Sequence, residues 1–219
     1  MKFIAKILFL ALAATSLSAE DTTDLPKPDA DGWITLFNGK DLTGWNGDPK
    51  VWRVKDGYIS GKIDKLVGGN TFLIYKKPFA DYVLEMDIML VGRRGNSGIQ
   101  YRSKHSERGS NKWVVKGYQA DFANGLWGKL YEEGGRGKLA WKYKDKAPKI
   151  KANDEWNRYR ITASGSKLKQ ELNGTVTVEL DDKDPAKSSK EGVIALQYHQ
   201  PGGFEVRFRN IRIKLLGGE

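Results

Sequence analysis

The chain contains no cysteine and only two histidines among its 219 residues. The first absence excludes a disulfide scaffold, a thiolate zinc site, a cysteine nucleophile and lipid attachment at a lipobox cysteine. The second argues against a metal held by several imidazoles. Beyond the N-terminus, no segment has the apolar period of a long amphipathic helix, and none is apolar enough to span a bilayer. Acidic residues are the scarcer charge, 27 against 37 Lys and Arg, for a net charge of +10. That balance raises nucleic acid as a partner. The basic residues are dispersed, however, as Arg93-Arg94, Lys142 to Lys146, Lys149 with Lys151, and Arg207 to Lys214, and acids lie among them. They read as a solvated surface, suited if anything to anionic polymers, and nucleic acid is not expected.

Residues 1–19 read as a secretory signal. Lys2 and Lys6 precede a short apolar run, Ile7 to Leu12, and a small-residue stretch, Ala13 to Ala19. The run is too short to cross about 30 Å of hydrocarbon. Cleavage after Ala19 or after Ser16 leaves a periplasmic or extracellular protein with no integral membrane segment. Loss of Lys2 and Lys6 leaves 35 basic and 27 acidic residues, a charge of +8. Residues 20–31 are polar, carry Pro26 and Pro28, and form a flexible leader. Residues 32–217 contain no domain-separating linker and form one domain.

Period two dominates that domain. In Tyr82–Leu90 the even positions are Tyr, Leu, Met, Ile and Leu, with Glu85 and Asp87 between them, which describes a half-buried strand. Comparable runs recur at Trp33–Phe37, Val51–Val54, Tyr58–Gly61, Thr71–Tyr75, Gly98–Arg102, Trp113–Phe122, Asn157–Ala163, Lys167–Leu172, Thr175–Leu180, Val193–His199 and Phe204–Leu215. Glycine, Asn and Asp pairs punctuate them, and Asn173-Gly174 is the strongest hairpin signal because both turn residues tolerate positive φ. The last run changes phase, from Phe204, Val206 and Phe208 to Ile211, Ile213 and Leu215, which predicts a bulge near Asn210. About a dozen strands with turns this close imply an all-β, antiparallel two-sheet sandwich or jelly roll.

An ordered series of motifs then becomes informative. Gly32-Trp33-Ile34-Thr35-Leu36-Phe37-Asn38-Gly39-Lys40-Asp41-Leu42-Thr43-Gly44-Trp45 is followed by Asn96-Ser97-Gly98-Ile99-Gln100-Tyr101-Arg102, Gly117-Tyr118-Gln119-Ala120-Asp121 and Leu130-Tyr131. Glu155-Trp156-Asn157, Leu172-Asn173-Gly174, Ala195-Leu196-Gln197-Tyr198-His199 and Phe208-Arg209-Asn210-Ile211 complete it. The series resembles the secreted 3-keto-disaccharide hydrolase family, with Tyr118-Gln119 standing where many relatives carry Tyr-Glu. The resemblance implies a concanavalin A-like jelly roll of the lectin/glucanase type. It also implies action on glycosides oxidised at the sugar C3, with a separate upstream enzyme supplying the ketone.

The alternation supplies candidate site residues. A hairpin of Tyr82–Leu90 with Gly98–Arg102 would set Glu85 and Asp87 near Gln100 and Arg102, a polar face suited to sugar hydroxyls or, equally, a solvated face of weak ion pairs. His199 ends an apolar strand beside a Gln200-Pro201-Gly202-Gly203 turn, where it can act as base or acid or simply bond the turn. His105 lies in a polar segment and is expected to be solvated. The loop from Tyr131 to Gly137 offers Glu132, Glu133 and Arg136, either at a ligand or exposed, and lacks a phosphate-binding spacing. Trp127 is the candidate for stacking on a sugar, although most of the Trp residues should be core.

Two readings follow. As an enzyme, the chain would use His199 or Asp121 as base, Arg102 on the oxyanion and Tyr131 or Glu132 as proton donor, with Asn96, Gln100, Gln119, Trp127 and Arg136 holding substrate. No cofactor motif is evident, and a divalent cation bound by Asp121, Glu132 or His199 can take the place of Arg102. As a non-catalytic carbohydrate-binding module, the chain would need the polar face and Trp127 but no base.

Overall fold

The computed structural model describes residues 25–123, 127–142, 149–151 and 154–217. The expected signal, residues 1–19, lies outside them. The strands in chain order are β1 (Ile34–Thr35), β2 (Trp45–Asn46), β3 (Trp52–Lys55), β4 (Tyr58–Ile63), β5 (Thr71–Tyr75), β6 (Tyr82–Leu90), β7 (Asn96–Arg108), β8 (Asn111–Ala123), β9 (Lys129–Glu133), β10 (Gly137–Ala140), β11 (Asn157–Ser164), β12 (Lys167–Leu172), β13 (Thr175–Asp181), β14 (Val193–Tyr198) and β15 (Phe204–Leu215). They form two antiparallel sheets, the jelly-roll sandwich that the alternation predicts. The first runs β13-β12-β11-β6-β15-β4-β3, with β1 also on β15; the second runs β10-β9-β8-β7-β14-β5-β2.

Between the sheets, one face of every long strand is apolar. Leu84, Met86 and Ile88 of β6 meet Ile99, Tyr101, Ala120 and Phe122 of β7 and β8 in one core. Burying each such side chain contributes on the order of 1.5–3 kcal/mol. Asn173 and Gly174 have φ of 51° and 78° and close the β12–β13 turn, as the sequence predicts. The bulge near Asn210 is present as well. Its φ is 52°, and the β15–β6 register shifts between Arg209 and Arg212, which returns Ile211 and Ile213 to the core.

One expected pairing does not form. β6 pairs with β11 and β15, whereas β7 pairs with β8 and β14. Between β6 and β7, residues 91–95 include Gly92 and Gly95 at positive φ, and they carry the chain from one sheet to the other. Glu85 and Asp87 therefore lie on the outer face of the first sheet, across the sandwich from Gln100.

The β7–β8 hairpin is longer than its apolar runs suggest, because the polar segment containing the solvated His105 continues both strands. At Arg102 (φ 45°) and Gly117 (φ 137°) the ladder breaks register. Its distal half folds over the outer face of the second sheet, where Val115 and Trp113 pack on Phe72, Ile74 and Ala195. Asn111 Nδ2 donates to the Asn70 carbonyl at 3.1 Å and Trp113 Nε1 to Asn46 Oδ1 at 3.0 Å, so the hairpin is fastened at its tip and along its length.

Candidate active site

Beyond the fastened hairpin, the outer face of the second sheet holds a cleft of about 280 Å³. Its lining is polar: Asn70, Asn96, Gln119, Asp121, Lys129, Tyr131, Glu133 and His199. Strand register explains the gathering. On β8, Gln119 and Asp121 point outward while Tyr118, Ala120 and Phe122 point into the core. Their partners on β9 are Tyr131 and Lys129, so all four side chains share one face. His199 follows β14, and Asn96 opens β7.

Asp121 sits at the centre of a directed chain of hydrogen bonds. Ser103 Oγ donates to Gln100 Oε1 at 2.8 Å, Gln100 Nε2 to Gln119 Oε1 at 2.7 Å, and Gln119 Nε2 to Asp121 Oδ1 at 3.3 Å. Lys129 Nζ lies 2.7 Å from Asp121 Oδ2 and 5.0 Å from the centre of the Tyr131 ring. Burial pushes the Asp121 carboxyl above its ordinary value, against the opposing pull of Lys129, Gln119 and His199. His199 Nδ1 bonds the Gln200 carbonyl. A carbonyl only accepts, so Nδ1 carries the proton and Nε2 of the neutral ring keeps its lone pair.

One further group is ready for a ligand. Asn96 Oδ1, in the lining, is a buried acceptor without a hydrogen bond, a condition that a substrate hydroxyl relieves. Gln197 Nε2 and Asn70 Nδ2 both reach Glu133, at 3.3 and 3.2 Å.

Of the residues expected at the site, His199, Asp121, Tyr131, Asn96 and Gln119 converge. Gln100 lies behind the cleft, fully buried, and orients Gln119. Four others do not belong to the cleft. Arg102 is 1% exposed. The bend at its positive φ turns it away, and it donates to the Ala80 and Gly165 carbonyls at 2.6 and 2.7 Å and to Asp81 Oδ1 at 2.5 Å. Glu132 pairs in register with Tyr118 rather than Gln119, so it takes the opposite face of β9. There it binds Arg136, whose Nη2 reaches Asp182 Oδ2 at 2.6 Å, and both residues brace the edge of the sandwich. Trp127 is core, its ring 5.5 Å from that of Phe122, in a turn tied by Gly128 N to the Tyr159 hydroxyl. The cation ligand set of Asp121, Glu132 and His199 is not assembled, because Glu132 faces away. Among the described residues no three His, Cys, Asp or Glu side chains cluster as a metal site. Lys129 and Asn70 were not anticipated, and Glu133 was only a loop alternative. The signal for β9 was present as alternation: Lys129, Tyr131 and Glu133 bracket Leu130 with the period of the strand beside them.

A polar cleft of this kind on one outer face of a jelly-roll sandwich offers the paired donors and acceptors that sugar hydroxyls need. Residues 32–214 match the family model described as a 3-keto-alpha-glucoside-1,2-lyase-like domain, and the chain belongs to that family. It is 30% identical to the 3-keto-disaccharide hydrolase of Bacteroides thetaiotaomicron, over 92% of this chain and 84% of that protein, which supports a glycoside-acting enzyme. A crystal structure of a candidate glycosyl hydrolase from Parabacteroides distasonis superposes with a TM-score of 0.64 at 23% identity, covering 86% of this chain and 95% of that one. A carbohydrate-binding module from Bacillus subtilis superposes with a TM-score of 0.57 at 18% identity, covering 78% and 95%. Both structural likenesses speak for the fold. No helix among the described residues is long and apolar enough to cross a membrane.

Proposed function

We propose that the protein is exported and cleaves 3-keto-glycosides by elimination across C1 and C2. A ketone at C3 acidifies the C2 proton, because the electron pair left behind delocalises into an enolate. His199 Nε2 or the Asp121 carboxylate removes that proton, and Lys129 stabilises the enolate oxygen in the role expected of Arg102. The C1–O bond then breaks, and the leaving oxygen takes a proton from the Tyr131 hydroxyl. Addition of water across the new C1=C2 bond, hydroxyl to C1 and proton to C2, gives net hydrolysis. This route does not require the flanking carboxylate pair of an ordinary glycosidase. A separate enzyme oxidises the sugar beforehand.

The observation carrying this reading is the convergence, in one sugar-sized cleft, of a base with a free ring nitrogen, a cation and a phenol proton donor beside the unsatisfied amide acceptor of Asn96. The test is aglycone release from a 3-keto-glucoside. His199→Ala should lower turnover at least a hundredfold while leaving the melting temperature nearly unchanged, since the ring bonds only one turn carbonyl among the described contacts. Undiminished turnover removes His199 from the mechanism. The likeness to a carbohydrate-binding module favours one alternative, sugar binding without chemistry. Clean protein that binds the ketoside and releases no aglycone, with or without divalent cations, would establish that alternative.

A further inference from the structure

The outer face of the first sheet, across the sandwich from the cleft, carries two parallel rungs of charge. Glu85 and Asp87 stand on the central strand β6, and each has an arginine opposite it on both neighbouring strands. Arg160 Nη1 and Arg212 Nη2 meet Glu85 at 2.5 and 2.7 Å. Arg158 Nε and Arg209 Nε meet Asp87 at 3.0 and 3.5 Å. The Asn210 bulge makes the double rung possible, because without it Arg209 and Arg212 would point to opposite faces. Trp33 lies under Arg212, 4.2 Å from its guanidinium carbon, and Trp156 under Arg209 at 4.1 Å.

Arg160 also lies 3.9 Å from Glu171, which is shared with Lys169 at 3.4 Å, so among the described residues the basic groups still outnumber the acids by one in each rung; the rungs repeat at ~7 Å, two residues along a strand. Beside the rungs lies a hollow of about 420 Å³, larger than the catalytic cleft, into which Arg158, Arg212, Asn210 and Asn38 project among backbone at Gly39 and Gly57. The Arg158 side chain is 50% exposed and Arg212 39%.

We propose that this hollow binds a carboxylate-bearing oligosaccharide, so that the protein holds an acidic glycan on the face opposite its cleft. Guanidinium forks match carboxylates in geometry, and the two half-exposed arginines of the hollow, Arg158 and Arg212, come from different rungs, so two acidic units are engaged together. The tryptophan faces are occupied by arginine, so recognition is by charge and hydrogen bonding rather than by stacking. The proposal is independent of the chemistry assigned to the cleft.

The rungs make a clean experiment possible. Arg158→Gln leaves Asp87 with Arg209 and Asn210, and Arg212→Gln leaves Glu85 with Arg160, so neither strands a buried acid. Binding of tetragalacturonate, its methyl ester and monomeric galacturonate is measured by calorimetry at low salt, with melting temperatures to confirm folding. The wild type should bind the tetramer, weaken with added salt, and bind the ester and the monomer at least tenfold more weakly. Each variant should lose at least tenfold in affinity for the tetramer. Absence of tetramer binding by the wild type overturns the proposal, as does equal binding of the ester. Equal binding of the monomer reduces the site to a simple carboxylate site and overturns the oligosaccharide assignment. Unchanged affinity in both variants locates any binding elsewhere.

Discussion

Individual carboxylates here answer to their surroundings in opposite directions. Asp121 is raised by burial, whereas Asp182 is held down to about 2 by Arg136, with the Tyr118 hydroxyl assisting. The native state thus holds a proton on Asp182 more weakly than the unfolded chain does. The associated stability is complete above about pH 4 and is lost as pH falls towards 2, amounting to roughly 2 kcal/mol. Asp121 works the other way, since protonation relieves the cost of burying its charge as pH falls through its raised value. Urea unfolding between pH 4 and 2 should therefore show a steep loss of stability that Asp182→Asn largely removes; a wild-type slope in that variant would refute the assignment. Side-chain parity made Asp121 and Gln119 legible in advance, whereas Tyr131 and Asn96 were legible only through the motif resemblance. Parity failed at Arg102, where a single positive φ reverses the direction that even-numbered positions otherwise share, and nothing in the residue type marks that reversal.

Strands and turns were more legible than contacts between them. Alternation gave most strand positions within a residue or two, and the phase change at Asn210 revealed a bulge whose consequence is the double arginine rung. Partner choice was less visible. Tyr82–Leu90 looks ready to pair with the next strand, yet two glycines at positive φ redirect the chain across the sandwich. The β9 strand was mistaken for a loop because its glycines lie immediately after it, and that error exchanged Glu133 for Glu132. The Asn173-Gly174 turn tests the local part of this logic. Gly174 sits at φ 78° with open space around it, so Gly174→Val introduces backbone strain without a clash. It should destabilise by about 1 kcal/mol or more, read as a lowered urea midpoint with an unchanged slope; a neutral result would mean that the turn does not fix this hairpin.

At the scale of the molecule, the two sheets divide their duties. Their shared interior is apolar, one exterior bears the polar cleft, and the other bears the paired arginine rungs. The sequence displayed those arginines but not their arrangement, because the arginines of β11 and β15 lie some fifty residues apart and meet only through β6.

The fastened β7–β8 hairpin has a consequence for what this enzyme can digest. Its distal half covers the outer face of the second sheet over Phe72, Ile74 and Ala195, and its tip bonds Asn70 at the edge of the cleft, so a long polymer laid along the sheet would meet it. Attack should proceed inward from tips of glycans, liberating small sugars from the first minutes while the average polymer length declines slowly. A rapid fall in viscosity of a long 3-keto-bearing glucan, ahead of soluble sugar release, would show that interior linkages are reached after all.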